Sequence, residues 1–198
     1  MNVAPPRSAL VEWLLRPPRP ITTTTVFLIT AATGIAQLIH PALFDRFCRA
    51  PDRVAAGEWW RLGTAMFFQD GWTAGLLFNL VILLVFGAIA ERVLGRWRWV
   101  LLYFGCGLFG QVVSYLWLRS TGAGNSMCVA GLVGALTIAA LRAPDRFGPR
   151  RPARPILYAV PALAVFGAIF HDNHGLPVLL GMAVGYPLLP RDRPEPRT

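Results

Sequence analysis

The chain has 198 residues, of which 55% are hydrophobic and only 15% are charged, and its formal net charge is +9. Soluble domains carry about a quarter charged residues, so this composition argues against a soluble domain. All nineteen basic residues are arginines, and they are spread along the chain. Because no basic face is concentrated in one soluble region, the charge argues against a nucleic-acid partner and favours anionic lipid headgroups.

Long uncharged stretches predict helices that cross a membrane. Six such stretches, each 17 to 25 residues long, make up most of the chain. A helix needs roughly 20 mainly apolar residues to span a bilayer core, and few residues remain for a soluble core. We therefore predict an all-α, polytopic membrane protein with a bundle of six transmembrane helices. The stretches are Pro20–Phe44, Gly71–Ala90, Trp99–Leu118, Ser120–Leu141, Pro155–His171 and Asn173–Pro190.

The distribution of arginines predicts the orientation of these spans. With a cytoplasmic N-terminus, fourteen arginines fall on the cytoplasmic side and five on the outer side. Basic residues are enriched in cytoplasmic loops, so we expect both termini in the cytoplasm. The predicted organisation is a cytoplasmic N-terminal segment over residues 1–19, a membrane domain over residues 20–189 and a disordered, proline-rich cytoplasmic tail over residues 190–198.

The connections between the spans differ in length and character. The first, Asp45–Asp70, is long and contains Trp59 and Trp60, which favour the level of the lipid headgroups. The second, Glu91–Arg98, is predicted to be a tight basic turn, and Arg142–Pro155 is a loop rich in proline and arginine. No charged residue lies deep in a predicted span, which argues against an ion channel or transporter.

The fourth uncharged stretch begins with polar and small residues rather than with an apolar helix. The segment from Ser120 to Ser126 is rich in glycine and serine, and the apolar part runs only from about Met127 to Leu141. Such backbone is tolerated at membrane depth where protein buries it or where it lines a water-filled cavity. Ser126 can therefore be a nucleophile beside backbone N–H groups. It can equally be a helix cap or a close-packing residue.

The sixth stretch supplies a possible partner for this serine. His174 lies at the start of the stretch, near the outer end of the predicted helix. Small residues follow both the serine and the histidine along one helical face, so the two helices can approach closely. A serine beside a histidine is the minimal nucleophile and base. The small residues are Ala130 and Gly134 after Ser126, and Gly181 and Gly185 after His174.

Several motifs resemble those of the rhomboid family, and together they cover about residues 57–188. The run Gly124–Ala135 resembles the rhomboid motif G-x-S-G-x-x-(aromatic)-G-x-x-G-A, with the serine in register. Leu76–Leu80 is similar to the family's H-L-L-F-N segment, and Trp60–Thr64 is similar to its W-R-L-x-T segment. The histidine helix also resembles that of the family. The matching glycines are Gly124, Gly131, Gly134, Gly181 and Gly185.

The resemblance implies an intramembrane serine protease that hydrolyses a peptide bond in or near a substrate's transmembrane segment. It assigns Ser126 as the nucleophile and His174 as the base. The oxyanion and substrate-binding groups would be the side chain of Asn79 and the backbone around Gly124 and Ser126. The implied partners are a transmembrane protein, as substrate or client, and the lipid bilayer. No cofactor is implied, and the three cysteines are too scattered for a zinc site.

This sequence departs from the rhomboid pattern at four places around the implied site. Gly75 stands where the family has a histidine that donates to the oxyanion, and Ala130 replaces an aromatic residue that stacks on the catalytic histidine. Met127 and Pro177 replace glycines. A slow protease and an inactive relative that binds client transmembrane helices both fit these changes.

The sequence also supports expectations about Asp172, which lies near the histidine, and about the organism that the protein comes from. Because the resemblance implies a serine–histidine dyad, Asp172 is expected to be a solvated loop residue rather than a third catalytic group. The absence of lysine beside abundant arginine, alanine and proline favours a bacterial protein with a GC-rich gene. We accordingly expect the chain in the bacterial cytoplasmic membrane.

Overall fold

The structure is a computed structural model that describes residues 19–147 and 153–189. Within these ranges the regular structure is helical, and the one β-bridge pairs Arg49 with Gly122. This confirms the predicted all-α class. The expected tail over residues 190–198, and all but the last residue of the expected N-terminal segment 1–19, lie outside the described residues.

Six longer helices follow one another along the described part of the chain, with shorter ones in the connections. The longer helices are α1 Ile21–Ile39, α5 Trp72–Leu94, α6 Arg96–Leu118, α7 Ser126–Arg142, α8 Arg154–Ile169 and α9 Gly175–Leu188. The first connection contains α2 Ala42–Phe47, α3 Pro51–Ala55 and α4 Arg61–Thr64. A 3₁₀ turn, Pro144–Phe147, follows α7. Helices α5 and α6 each include a π-helical turn, at Leu83–Gly87 and Ser114–Leu118.

Three of these helices are long and apolar enough to cross a membrane: α1, α5 and α6. Helices α7, α8 and α9 have 17, 16 and 14 residues. At 1.5 Å per residue they measure about 25, 24 and 21 Å, which is less than the roughly 30 Å of a bilayer core. Length alone therefore supports three spans among the described residues, fewer than the six that the uncharged stretches predict.

Apolar side chains cover much of the outside of the bundle, and several amide side chains are buried inside it. Phe78 on α5 is 64% exposed and Leu163 on α8 is 68% exposed. Gln37, Gln111 and Asn125 are at most 3% exposed. A large exposed apolar surface is unfavourable in water, and it suits helices surrounded by lipid.

The centre of the fold is α7, which packs against α6 and α9. Glycines allow this packing to bring backbone against backbone. A Cβ atom on Gly181 would collide with the carbonyl oxygen of Gly131, and one on Gly134 would collide with the carbonyl oxygen of Val178. A Cβ atom on Gly185 would lie 3.0 Å from the Cα of Ala135. The contact aligns α7 and α9 so that the N-terminal ends of both helices lie side by side.

The connection between α5 and α6 is shorter than predicted. Helix α5 continues to Leu94 and α6 begins at Arg96, with Gly95 at φ +83° between them. Glu91 is therefore a buried helical residue, not part of a turn. Its carboxylate accepts the backbone N–H groups of Thr22 and Thr23, at 2.9 and 2.7 Å. These N–H groups at the start of α1 have no partner within their own helix, and they stabilise the buried carboxylate. The contact joins two separate helices, so it depends on the tertiary fold.

Candidate active site

Ser126 and His174 are brought together by the ends of two helices. Ser126 is the first residue of α7, and His174 immediately precedes α9. The Oγ atom of Ser126 lies 2.9 Å from Nε2 of His174. An imidazole with an unprotonated Nε2 accepts the hydroxyl proton at this distance. The packing of α7 against α9 thus brings these two residues into the contact that a nucleophile and its base require.

A cavity of about 490 Å³ opens beside this pair. Ser126 and His174 line it together with Asn79 and Gly75 from α5. Gly124, from the connection before α7, also lines the cavity. The sequence-predicted catalytic and oxyanion residues therefore share one cavity.

The space beside Gly124 is surrounded by polar side-chain atoms of Asn79, Gln69 and Ser126. Gly124 has a φ of +154°, a conformation that side-chain-bearing residues rarely adopt. A Cβ atom there would lie 3.5 Å from Nδ2 of Asn79, 3.6 Å from Oγ of Ser126 and 3.7 Å from Oε1 of Gln69. Glycine leaves this space open, and a small oxygen atom in it would be within reach of the Asn79 amide.

Gln69 fixes the amide of Asn79, and sequence reasoning missed it. Nδ2 of Asn79 donates a 2.6 Å hydrogen bond to Oε1 of Gln69. Gln37 of α1 holds the backbone of Gln69 from both directions, donating to its carbonyl at 2.6 Å and accepting its N–H at 3.0 Å. The signal available in the sequence was that these amide side chains stand among apolar residues. Which amides pair depends on how α1 packs against the chain before α5, and the sequence does not give that packing.

Arg49 anchors the segment that leads into α7. Its Nε donates to the carbonyl oxygen of Ser120 at 2.9 Å, and Nη2 donates to the Ser120 hydroxyl at 3.0 Å. Nη1 donates to Oε1 of Gln111, and the backbone of Arg49 pairs with that of Gly122. Burial lowers the pKa of Arg49 to about 10, so the guanidinium remains charged at neutral pH. The sequence indicated only a loop arginine here.

The positions that depart from the rhomboid pattern are closely packed. A Cβ atom on Gly75 would collide with the carbonyl oxygen of Asp70, so a histidine cannot be placed there without a shift of backbone. Met127 is buried, with its sulfur 3.8 Å from the Ser114 hydroxyl. Pro177 is buried against Gly110 of α6. Ala130 presents no ring to the histidine.

Asp172 is an exposed loop residue, as expected, but its carboxylate also contacts the histidine. Oδ1 of Asp172 lies 2.7 Å from Nδ1 of His174. Both side chains are partly open to solvent, at 48% and 43% exposure. The short spacing of the two residues, with a tight turn between α8 and α9, produces this contact. The imidazole is thus hydrogen-bonded at both nitrogens.

Comparison with known proteins identifies the family. The Rhomboid domain model matches residues 56–191. The putative rhomboid protease YdcA of Bacillus subtilis (strain 168) is 31% identical over 136 residues, which cover 67% of each protein. The rhomboid protease GluP of the same organism is 38% identical over 88 residues, or 44% of this chain. Those 88 residues represent only 17% of GluP. The chain belongs to the rhomboid family, as its motifs predicted.

Proposed function

We propose that this chain is an intramembrane serine protease that hydrolyses a peptide bond in or near a substrate's transmembrane segment. The observation that carries the proposal is the 2.9 Å contact between Ser126 Oγ and His174 Nε2 at the side of the cavity. The curated relatives that are called rhomboid proteases support it.

In the proposed reaction Ser126 Oγ attacks the scissile carbonyl carbon while His174 Nε2 takes its proton. The carbonyl oxygen becomes an oxyanion in the tetrahedral intermediate. His174 then returns the proton to the leaving amine as the C–N bond breaks, which leaves an acyl group on Ser126. Water from the cavity, deprotonated by the same imidazole, then attacks the ester carbonyl carbon. The C–O bond to Ser126 breaks, His174 returns the proton to Ser126 Oγ, and the second product leaves as a carboxylic acid.

The oxyanion would be stabilised by the backbone N–H of Ser126 and the side-chain amide of Asn79. The first N–H groups of a helix have no intrahelical partner, so the start of α7 offers a donor to an anion. The Asn79 amide has two N–H bonds, and donating one to Gln69 leaves the other for the oxyanion. Gly75 offers no side-chain donor, and loss of one such donor typically slows catalysis by about 10²–10³.

We further propose that all six longer helices cross the bacterial cytoplasmic membrane, with both termini in the cytoplasm. The bilayer would thin around α7, α8 and α9, which are shorter than an ordinary hydrocarbon core. The site then opens to the outer face, where water reaches it. The partners are a transmembrane protein and the lipid around the bundle.

A second function is supported by the changes at Gly75 and Ala130. A rhomboid that has lost an oxyanion donor and a ring beside its histidine can retain the groove and bind client transmembrane helices without cutting them. Such a protein would keep its cellular effect after Ser126→Ala. A protease would lose it.

Proteolysis can be tested with purified protein in liposomes that also contain a single-span substrate with reporters at both ends. We expect wild type to generate two fragments, and Ser126→Ala and His174→Ala to generate none. His40→Ala is the matched control, because His40 lies exposed at the end of α1. Co-purification of intact client with wild type and Ser126→Ala alike, without fragments, would favour the second function.

A further inference from the structure

The partner of His174 on the side away from Ser126 is the carboxylate of Asp172. The atoms form one chain, with 2.7 Å between Asp172 Oδ1 and His174 Nδ1 and 2.9 Å between His174 Nε2 and Ser126 Oγ. We propose that Asp172 is a positioning residue that completes a three-member hydrogen-bonded chain with His174 and Ser126. The proposal rests on the proposed protease function and adds a residue to its machinery.

The carboxylate sets which imidazole nitrogen carries the proton. An ionised carboxylate only accepts hydrogen bonds, so the contact with Asp172 requires a proton on Nδ1 of His174. A neutral imidazole with its proton on Nδ1 has a bare Nε2, which is the form that accepts the Ser126 proton. When His174 takes that proton, the nearby negative charge stabilises the imidazolium.

The turn between α8 and α9 holds the carboxylate in place. The backbone N–H of Asp172 donates to the Gly167 carbonyl at 2.8 Å, and the Asp172 Oδ1 atom also accepts the backbone N–H of His174 at 3.3 Å. A Cβ atom on Gly167 would lie 3.1 Å from Asp172 Oδ2. Glycine at the end of α8 therefore leaves the space that the carboxylate occupies.

This arrangement supplies a support for the imidazole that Ala130 does not. Ala130 cannot stack on the ring, whereas Asp172 fixes the ring through its edge. Because both groups are about half exposed, water competes for the contact. Replacing the buried aspartate of a serine protease triad by asparagine slows turnover by about 10⁴, and here we expect about tenfold.

The first test measures the rate of labelling by a fluorophosphonate in detergent. Asp172→Asn keeps the size of the side chain and its contact with the backbone N–H of His174, but it removes the charge. We expect it to label about tenfold more slowly than wild type, at an unchanged melting temperature. Asp52→Asn, which removes an exposed carboxylate from α3, is the control and should label at the wild-type rate. An unchanged rate in Asp172→Asn would overturn the proposal.

The second test does not depend on activity. Nitrogen NMR of protein with labelled histidine reports which ring nitrogen of His174 is protonated, and the His174→Ala spectrum assigns the signal. We expect the Nδ1-protonated form in wild type and a shift toward the other form in Asp172→Ala. The same tautomer in both proteins would contradict the proposal. Failure of the protease function appears differently, as the absence of labelling in wild type with the tautomer preference intact.

Discussion

One part of the cavity lining, the serine side, carries Ser126 and His174 and is formed where the backbone of α7 packs against that of α9. The part of the lining that carries Asn79, the amide side, is built from side-chain amides. On the serine side, glycines let α7 and α9 approach until main-chain atoms touch. On the amide side, Gln37 and Gln69 connect α1 to Asn79 through hydrogen bonds. Packing fixes the nucleophile through many weak contacts, whereas the amide side depends on a few specific ones.

Among residues other than Ser126 and His174, the largest expected effect on rate comes from the amide side. Asn79→Ala removes the proposed oxyanion donor, so we expect fluorophosphonate labelling of Ser126 to slow by about 10²–10³. The fold should remain, because the serine side does not involve this residue. Labelling rate and thermal unfolding in detergent check the two statements. A rate within twofold of wild type would show that Asn79 has no part in oxyanion stabilisation.

Substitutions on the serine side should act mainly by lowering the stability of the fold. Gly181→Ala places a methyl group against the Gly131 carbonyl, and we expect the free energy of unfolding to fall by about 1–3 kcal/mol. Labelling should fall as α9 carries His174 away from Ser126. Gly105→Ala in α6 is the matched control, because nothing lies within 4 Å of the added methyl group. Equal stability of the two variants would argue against close packing at Gly181.

A smaller effect is expected from Gln69, which acts through Asn79. Gln69→Leu removes the acceptor that orients the amide, and loss of one hydrogen bond of this kind corresponds to roughly a tenfold slower labelling rate. Combined with Asn79→Ala, the substitution should have no further effect on the rate, because its target is gone. Independent, additive effects of the two substitutions would contradict the positioning role of Gln69.

The serine side was predictable from the sequence because its determinants are local. Helical spacing puts Ala130 and Gly134 on one face of α7, and Gly181 and Gly185 on one face of α9, whereas Gly131 was indicated only by the family motif. The family motif adds the register of Ser126 and His174. These features predicted which helices meet and which ends carry polar groups, without any knowledge of loops.

The amide side and the polar anchors were not predictable in the same way. Gln69, Arg49 and Glu91 contact residues 10 to 71 positions away in the sequence. The spacing of side chains along one helix contains no information about such partners. Asp172 was set aside because the family pattern has a dyad, although it lies only two residues from His174. The length of α7, α8 and α9 was also underdetermined, since uncharged connections extend the predicted spans.

The most direct test of the account is site-mapped labelling with a fluorophosphonate probe. Wild type, Ser126→Ala, His174→Ala and Ser114→Ala are labelled in detergent at neutral pH, and the modified peptide is identified by mass spectrometry. We predict a covalent adduct on Ser126 in wild type and Ser114→Ala, and none in Ser126→Ala or His174→Ala. Folded wild-type protein that remains unlabelled, or a His174→Ala variant that labels as fast as wild type, would contradict the claim that His174 activates Ser126.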